Sequence, residues 1–265
     1  MHDTARLLAA ASIAAAALLA GACDVSVNDG RVSVDVVTGV AEREERRSYA
    51  IGPDGQLEIE NRNGAVEVGA WDGPGVEVTI TRRAKARSDE AAEALLDRIE
   101  IGEEVAPARV RLSTEAPGDG GVSVGYVVRA PPGLSVTVDN EAGAVRITGM
   151  TGALRASLRN GAITGSELSG AVHVSSVNGP VSIELAGVGG EVSLATVNGP
   201  VRIAIPAAAK ATLSARTVNG RIATSGVTLE NLRQESGREL EARLNGGGPP
   251  IRLETTNGPI VISAR

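Results

Sequence analysis

The 265-residue chain has no Phe, one Trp and two Tyr. So few aromatic side chains leave no stacking platform for bases, and a net charge of −6 removes the basic stripe of a nucleic-acid binder. Nucleic acid is therefore not an expected partner. Cysteine occurs once, at Cys23, which excludes an internal disulfide. Histidine occurs twice, at His2 and His173. Neither a zinc cluster nor a Ser-His-Asp constellation can be assembled from such a set, and His173, between Val172 and Val174, reads as a solvated residue on the outward side of a strand. Paired acids at a set separation, as glycoside hydrolysis needs, are missing too, because Asp139, Glu141, Glu184, Glu191 and Glu254 are scattered along the chain. Gly246-Gly247-Gly248 before Pro249-Pro250 reads as a turn, since no helix follows to receive a phosphate. No cofactor, no metal and no enzymatic activity are expected.

What the chain does have is a repeat. Gly143, Gly161, Gly179, Gly199 and Gly220 fall 18, 18, 20 and 21 residues apart. Around Gly199 the pattern is Val192-x-Leu194-x-Thr196-x-Asn198-Gly199-Pro200-Val201-x-Ile203, and it recurs from Val172 to Ile183. Further copies run from Leu213 to Ile222 and from Ile251 to Ile262, with a remote one from Leu57 to Val68. Alternating apolar residues on both sides of Asn-Gly predict two short strands per repeat. One such unit buries too little apolar surface to order itself, so neighbours must supply hydrogen bonds and cover its core.

Two all-β architectures fit. Stacked repeats give a parallel β-solenoid of about 18–21 residues per coil, bending at Asn-Gly. Asn-Gly is also a hairpin signal, and hairpins would give an antiparallel sandwich or meander. The spacing favours the solenoid, because a meander of short strands needs a turn about every 8–12 residues. The pairs Asn63-Gly64, Asn160-Gly161, Asn178-Gly179, Asn198-Gly199, Asn219-Gly220 and Asn257-Gly258 then form a structural column. Their asparagines can stack as an amide ladder at about 4.8 Å, tolerate the left-handed backbone of a turn, or do both.

The chain divides into four parts. Leu7 to Leu19 is an almost unbroken apolar run, too short to span a bilayer but of signal-peptide length, ending in Ala20-Gly21-Ala22-Cys23. Residues 1–22 resemble the bacterial lipoprotein signal, in which small residues precede a cysteine that is lipidated and becomes the N-terminus. Cys23 is then a lipid anchor; ordinary cleavage would instead leave it a free thiol. Residues 23–48, with the mixed-charge run from Glu42 to Arg47, read as a solvated tether. Residues 49–130 read as a β-rich cap with one short helix, N-capped by Ser88, carrying Ala92, Leu95, Leu96 and Ile99 at helical spacing and ended by Gly102. Residues 131–265 read as the repeat region, with Thr228 to Arg243 a polar excursion on one degenerate repeat.

The Asn-Gly repeats, Gly-Ala-Trp-Asp-Gly at 69–73, the helix after Arg82-Arg83 and the closing Leu244 to Gly248 and Thr256 to Ile260 together resemble a broad bacterial family. Its members are described as candidate adhesins or β-strand-repeat domains of unknown function. The resemblance covers Tyr49 to Ser263 and implies a β-repeat fold in exported, membrane-attached proteins; it carries no catalytic residues. The expectation is a non-enzymatic envelope lipoprotein that contacts a membrane through its lipid and binds an envelope or surface protein or polymer, or self-associates. The alternative is an envelope-stress sensor or regulatory domain.

Overall fold

The computed structural model describes residues 23–28, 31–36, 38–118, 120–235 and 237–265, without the side chains of 23–36 and 234–235. The signal segment expected at residues 1–22 lies outside the described residues. Cys23 begins a separate antiparallel pair, Cys23–Asn28 with Arg31–Val36.

Alternation builds the rest. In the strand Leu154–Asn160, Leu154, Ala156 and Leu158 are buried while Arg155 and Arg159 face solvent. After Asn160-Gly161 the chain enters a second strand, Ile163–Leu168, which buries Ile163 and Leu168. Each repeat thus gives one strand to each of two sheets, and its aliphatic side chains join one continuous core.

The first sheet has 11 strands, in the spatial order Glu230–Glu235, Glu239–Leu244, Ala211–Asn219, Pro250–Asn257, Val192–Asn198, Val172–Asn178, Leu154–Asn160, Ser135–Ala142, Gln56–Asn63, Arg109–Glu115, Glu100–Ala106. The second has 10: Ile222–Ser225, Ile260–Ala264, Val201–Ile205, Val181–Leu185, Ile163–Leu168, Val145–Thr148, Val66–Ala70, Val122–Ala130, Val76–Ala86, Gly39–Tyr49. Pairing between repeats is parallel and in register, so Val172 stands beside Leu154 and Val192, and Asn178 beside Asn160 and Asn198. Antiparallel pairs occur at the ends, making both sheets mixed.

Three features differ from the sequence reading. The copy at Leu57 to Val68 is not remote in space, since Gln56–Asn63 and Val66–Ala70 pair directly with Ser135–Ala142 and Val145–Thr148. Second, the charged run read as a solvated tether is part of the strand Gly39–Tyr49, which pairs with Val76–Ala86 along its whole length. Its Glu-Arg alternation hides the strand from a hydrophobic pattern, while Ala41 and Tyr49 at its ends are buried. Third, the repeats do not stack in chain order: Pro250–Asn257 lies between Val192–Asn198 and Ala211–Asn219. The polar excursion expected from Thr228 to Arg243 is the pair Glu230–Glu235 and Glu239–Leu244, which lies antiparallel on Ala211–Asn219 where the degenerate repeat expected to carry it would have paired in parallel.

The helix Asp89–Leu96 packs on Gly39–Tyr49 and Val76–Ala86, burying Ala92 and Leu96. Ser88 caps it, its hydroxyl accepting from the Ala91 amide at 3.2 Å.

Candidate functional site

The repeated corner is the most regular site in the molecule. Just before each Asn-Gly pair the alternation slips: Thr196 is buried, then Val197 and Asn198 are both exposed. The ladder slips with it, passing from the pair Ser176 and Thr196 to the pair Asn178 and Asn198 without pairing the residue between. Asparagine is therefore turned outward, where neighbouring amides meet. Asn178 donates to Asn160 at 3.0 Å, Asn198 to Asn178 at 2.8 Å, Asn257 to Asn198 at 2.7 Å and Asn219 to Asn257 at 2.9 Å. Ala142 interrupts the column, and beyond it Asn63 donates to the Val122 carbonyl at 2.8 Å.

Left-handed backbone is not the asparagines' role. Among the described residues, positive φ outside glycine is confined to Glu167, Asn231 and Asn245, whereas Gly161 and Gly179 take φ of 142° and 147°. A Cβ on Gly179 would stand 1.8 Å from the Gly161 carbonyl oxygen. Glycine is required both by its dihedral angle and by the backbone of the next repeat.

Inside the corner lies a second column that the sequence reading did not single out. Asn61, Asn140, Leu158, Ser176, Thr196, Thr255 and Thr217 share one register position, and all are buried. Thr196 donates to the Gly179 carbonyl at 3.1 Å, Thr255 to Gly199 at 2.9 Å and Thr217 to Gly258 at 2.9 Å. Asn140 does the same for Gly64 at 3.0 Å and Asn61 for Val124 at 2.9 Å. The corner carbonyls of Gly64, Gly179, Gly199 and Gly258 thus gain a donor, whereas Leu158 offers none and the Ser176 hydroxyl has no partner. A polar residue in an inward slot, recurring two places before Asn, was the available signal.

Where the first sheet meets its end strands, an open groove of about 710 Å³ lies over the column. Glu60 pairs with Arg111 at 2.7 Å, and Arg111 also reaches Glu104 at 3.2 Å. Asp139, Glu141 and Arg159 line the same groove without an ion pair among the described residues. Deeper in this end, Glu45, Arg47, Arg82 and Glu103 form a half-buried charged cluster. Arg47 bridges Glu45 and Glu103, Arg82 stands 3.5 Å from Glu45, and the Tyr49 hydroxyl donates to Glu103 at 2.8 Å. The cluster ties the outermost strand of one sheet to that of the other. Beneath it Tyr126 is fully buried, sharing a 2.7 Å hydrogen bond with Thr114. Burial pushes its phenol up to about 12 against the opposing effect of that hydrogen bond.

Chemistry is sparse. Among the described residues no group of three or more His, Cys, Asp or Glu could hold a metal ion. Glu184 and Glu191, two of the scattered acids, are engaged by Arg265 and Arg252. Trp71 braces its own turn, its indole donating to Gly75 at 2.8 Å while Arg129 lies 5.4 Å from the ring centroid. No helix among the described residues is long and apolar enough to cross a membrane.

Fold and corner together define a predominantly all-β, repeat-built domain with two large mixed sheets. The family described as Toastrack DUF4097 matches residues 53–263, and the chain belongs to it. Among solved structures it is similar to a candidate cell adhesion protein from Clostridium sporogenes, at 12% identity and a TM-score of 0.50, covering 85% of this chain and 100% of the other. A candidate adhesin from Bacteroides fragilis matches at 12% identity with a TM-score of 0.35, covering 84% and 97%. No curated protein matches.

Proposed function

We propose that the chain is a non-enzymatic β-solenoid scaffold of the bacterial cell envelope, anchored to a membrane by lipid on Cys23 and binding an envelope or surface partner through its strand faces. The observation that carries this reading is the in-register parallel stack, which presents rows of outward side chains, Val177, Val197 and Val218 exposed among them, on a regular strand scaffold. Parallel pairing between repeats favours a solenoid over an antiparallel meander. The apolar run before Cys23 favours export, and the similar fold from Clostridium sporogenes carries a cell-adhesion description. Chemical crosslinking in intact cells, followed by mass spectrometry, tests the reading: it expects crosslinks from the outer strand faces to an envelope component. Loss of membrane association in Cys23→Ala with the fold intact tests the anchor.

A regulatory domain that reports on the envelope is the second reading. It is favoured by the groove in which Asp139, Glu141 and Arg159 present charges without an ion pair among the described residues, a surface suited to steering a charged protein partner. Arg159→Glu then abolishes signalling to that partner and leaves surface attachment unchanged.

A further inference from the structure

The last repeat sits in a slot between two repeats that precede it in the chain. Pro250–Asn257 pairs in parallel with both neighbours in one register, so Leu253 stands beside Leu194 and Ala215, and Asn257 beside Asn198 and Asn219. In the second sheet Ile260–Ala264 separates Val201–Ile205 from Ile222–Ser225 in the same way. The walls of the slot therefore present matching alternation and matching Asn-Gly corners. They can accept the same last repeat from another copy of the chain, with every contact in the slot unchanged.

The joint leading into the slot is suited to opening. After Leu244 the chain runs Asn245-Gly246-Gly247-Gly248-Pro249, with φ of 47°, 87° and 92° at the first three positions. It steps over the start of Ala211–Asn219, because Leu244 faces Ala211 on one side and Pro250 faces Thr212 on the other. One backbone bond closes its turn, from the Gly247 amide to the Leu244 carbonyl at 3.0 Å, while the Gly246 amide donates to Glu230 at 3.1 Å and Thr212 donates through its hydroxyl to the Gly248 carbonyl at 3.2 Å and through its amide to the Pro249 carbonyl at 3.1 Å. Asn245 ties the joint down, donating to the carbonyls of Ala207 at 3.0 Å and Ala209 at 2.8 Å. Those two residues lie in the connection that carries the chain past the slot, across two strand spacings of about 4.8 Å each.

We propose that residues 250–265 exchange between two copies of this chain, each inserting its last repeat into the slot of the other, to give a closed two-fold dimer hinged at residues 245–249. Exchange of an identical element changes the contacts only at the hinge, so concentration and hinge geometry set the balance. Open edge-to-edge assembly is disfavoured at the opposite end, where the strand Gly39–Tyr49 carries the charged run from Glu42 to Arg47.

The test uses two full-length variants on a Cys23→Ser background, one carrying Asn198→Cys and the other Asn257→Cys. Each has a single thiol, so a disulfide between positions 198 and 257 can only join two chains. In-register neighbours about 4.8 Å apart are within disulfide range. The pair is unfolded together, refolded at high concentration and oxidised. The expected result is a covalent dimer mapping to 198–257, with its yield raised several-fold when Asn245→Ala is added to both chains. Should either asparagine variant fail to fold, Ser193→Cys and Arg252→Cys report the same adjacency from positions that face outward. A co-refolded yield no greater than that of either variant refolded alone, with both showing the wild-type melting temperature, overturns the proposal.

Discussion

Asn257 donates its side-chain amide to Asn198 at 2.7 Å across 59 residues of sequence, and Asn219 enters the column only through Asn257. The order of the column is the order of the repeats in space. Each member bonds a residue whose neighbours carry the same alternation, so the stack is selected by local pattern while its sequence order is set by the connections.

The inner column holds the corner closed. Thr255→Val keeps the side-chain shape and removes the donor to the Gly199 carbonyl, leaving that oxygen without its hydroxyl partner at a half-buried corner. The expected loss is about 1–3 kcal/mol, read as a lower denaturation midpoint at unchanged slope. An unchanged midpoint contradicts the role assigned to the column.

Ser176 occupies the same register but its hydroxyl has no partner. Ser176→Thr restricts the side-chain rotamer to resemble Thr196 in the next repeat, and the expected gain is about 0.5–1 kcal/mol, the net value of one hydrogen bond. Hydrogen exchange at the Gly161 corner checks it: protection there should rise.

Gly179→Ala places a methyl group against the Gly161 carbonyl and forces a side chain onto a φ of 147°. The corner can relieve this only by separating two repeats, so the expected cost is about 3 kcal/mol or more. Calorimetry measures it directly; a loss below about 1 kcal/mol, the size of an average substitution, is incompatible with the close approach.

Much of the stack was legible because its signal is local. Val172, Val174, Val181 and Ile183 alternate as buried strand residues do, and they are buried. The outward turn of the asparagines was harder to read, because Asn-Gly is also a hairpin signal and only the slip at Val177 or Val197 separates the cases. The strand Gly39–Tyr49 was illegible by pattern, since it contributes Glu45 and Arg47 to a charged cluster where apolar residues are the usual sign of a strand. The insertion of the last repeat could not be read at all: its register fits several neighbours, and the connections alone choose among them.

Tyr126 gives the molecule an alkaline limit. Its folded phenol titrates at about 12, above the ordinary value of 10. An unfolded phenol therefore releases its proton first as pH rises, which favours unfolding. Its contribution is complete below about pH 10 and lost on the way to about pH 12, amounting to up to about 3 kcal/mol. Tyr126→Phe flattens the fall in stability over that window, leaving the share due to Tyr49, whose phenol burial also raises. Denaturation midpoints at a series of alkaline pH values decide it.

The charged cluster makes residues 39–49 part of the fold. Arg47→Ala leaves Glu45 and Glu103 facing each other without their shared cation, and the expected loss is about 1–3 kcal/mol for breaking a half-buried network. Removing residues 1–48 strips the partner strand from Val76–Ala86 and should expose that edge to aggregation. A truncated chain that stays monomeric with the melting temperature of the whole would restore the reading of this run as a tether.

The last repeat lies between two earlier ones, and disulfide trapping within single chains tests that placement most directly. On the Cys23→Ser background, Ser193→Cys with Arg252→Cys and Arg252→Cys with Ser214→Cys should oxidise readily, since each joins in-register neighbours. Ser193→Cys with Ser214→Cys, two strand spacings apart, should not. Ready oxidation of that third pair with failure of the other two would place the repeats in chain order and contradict the account.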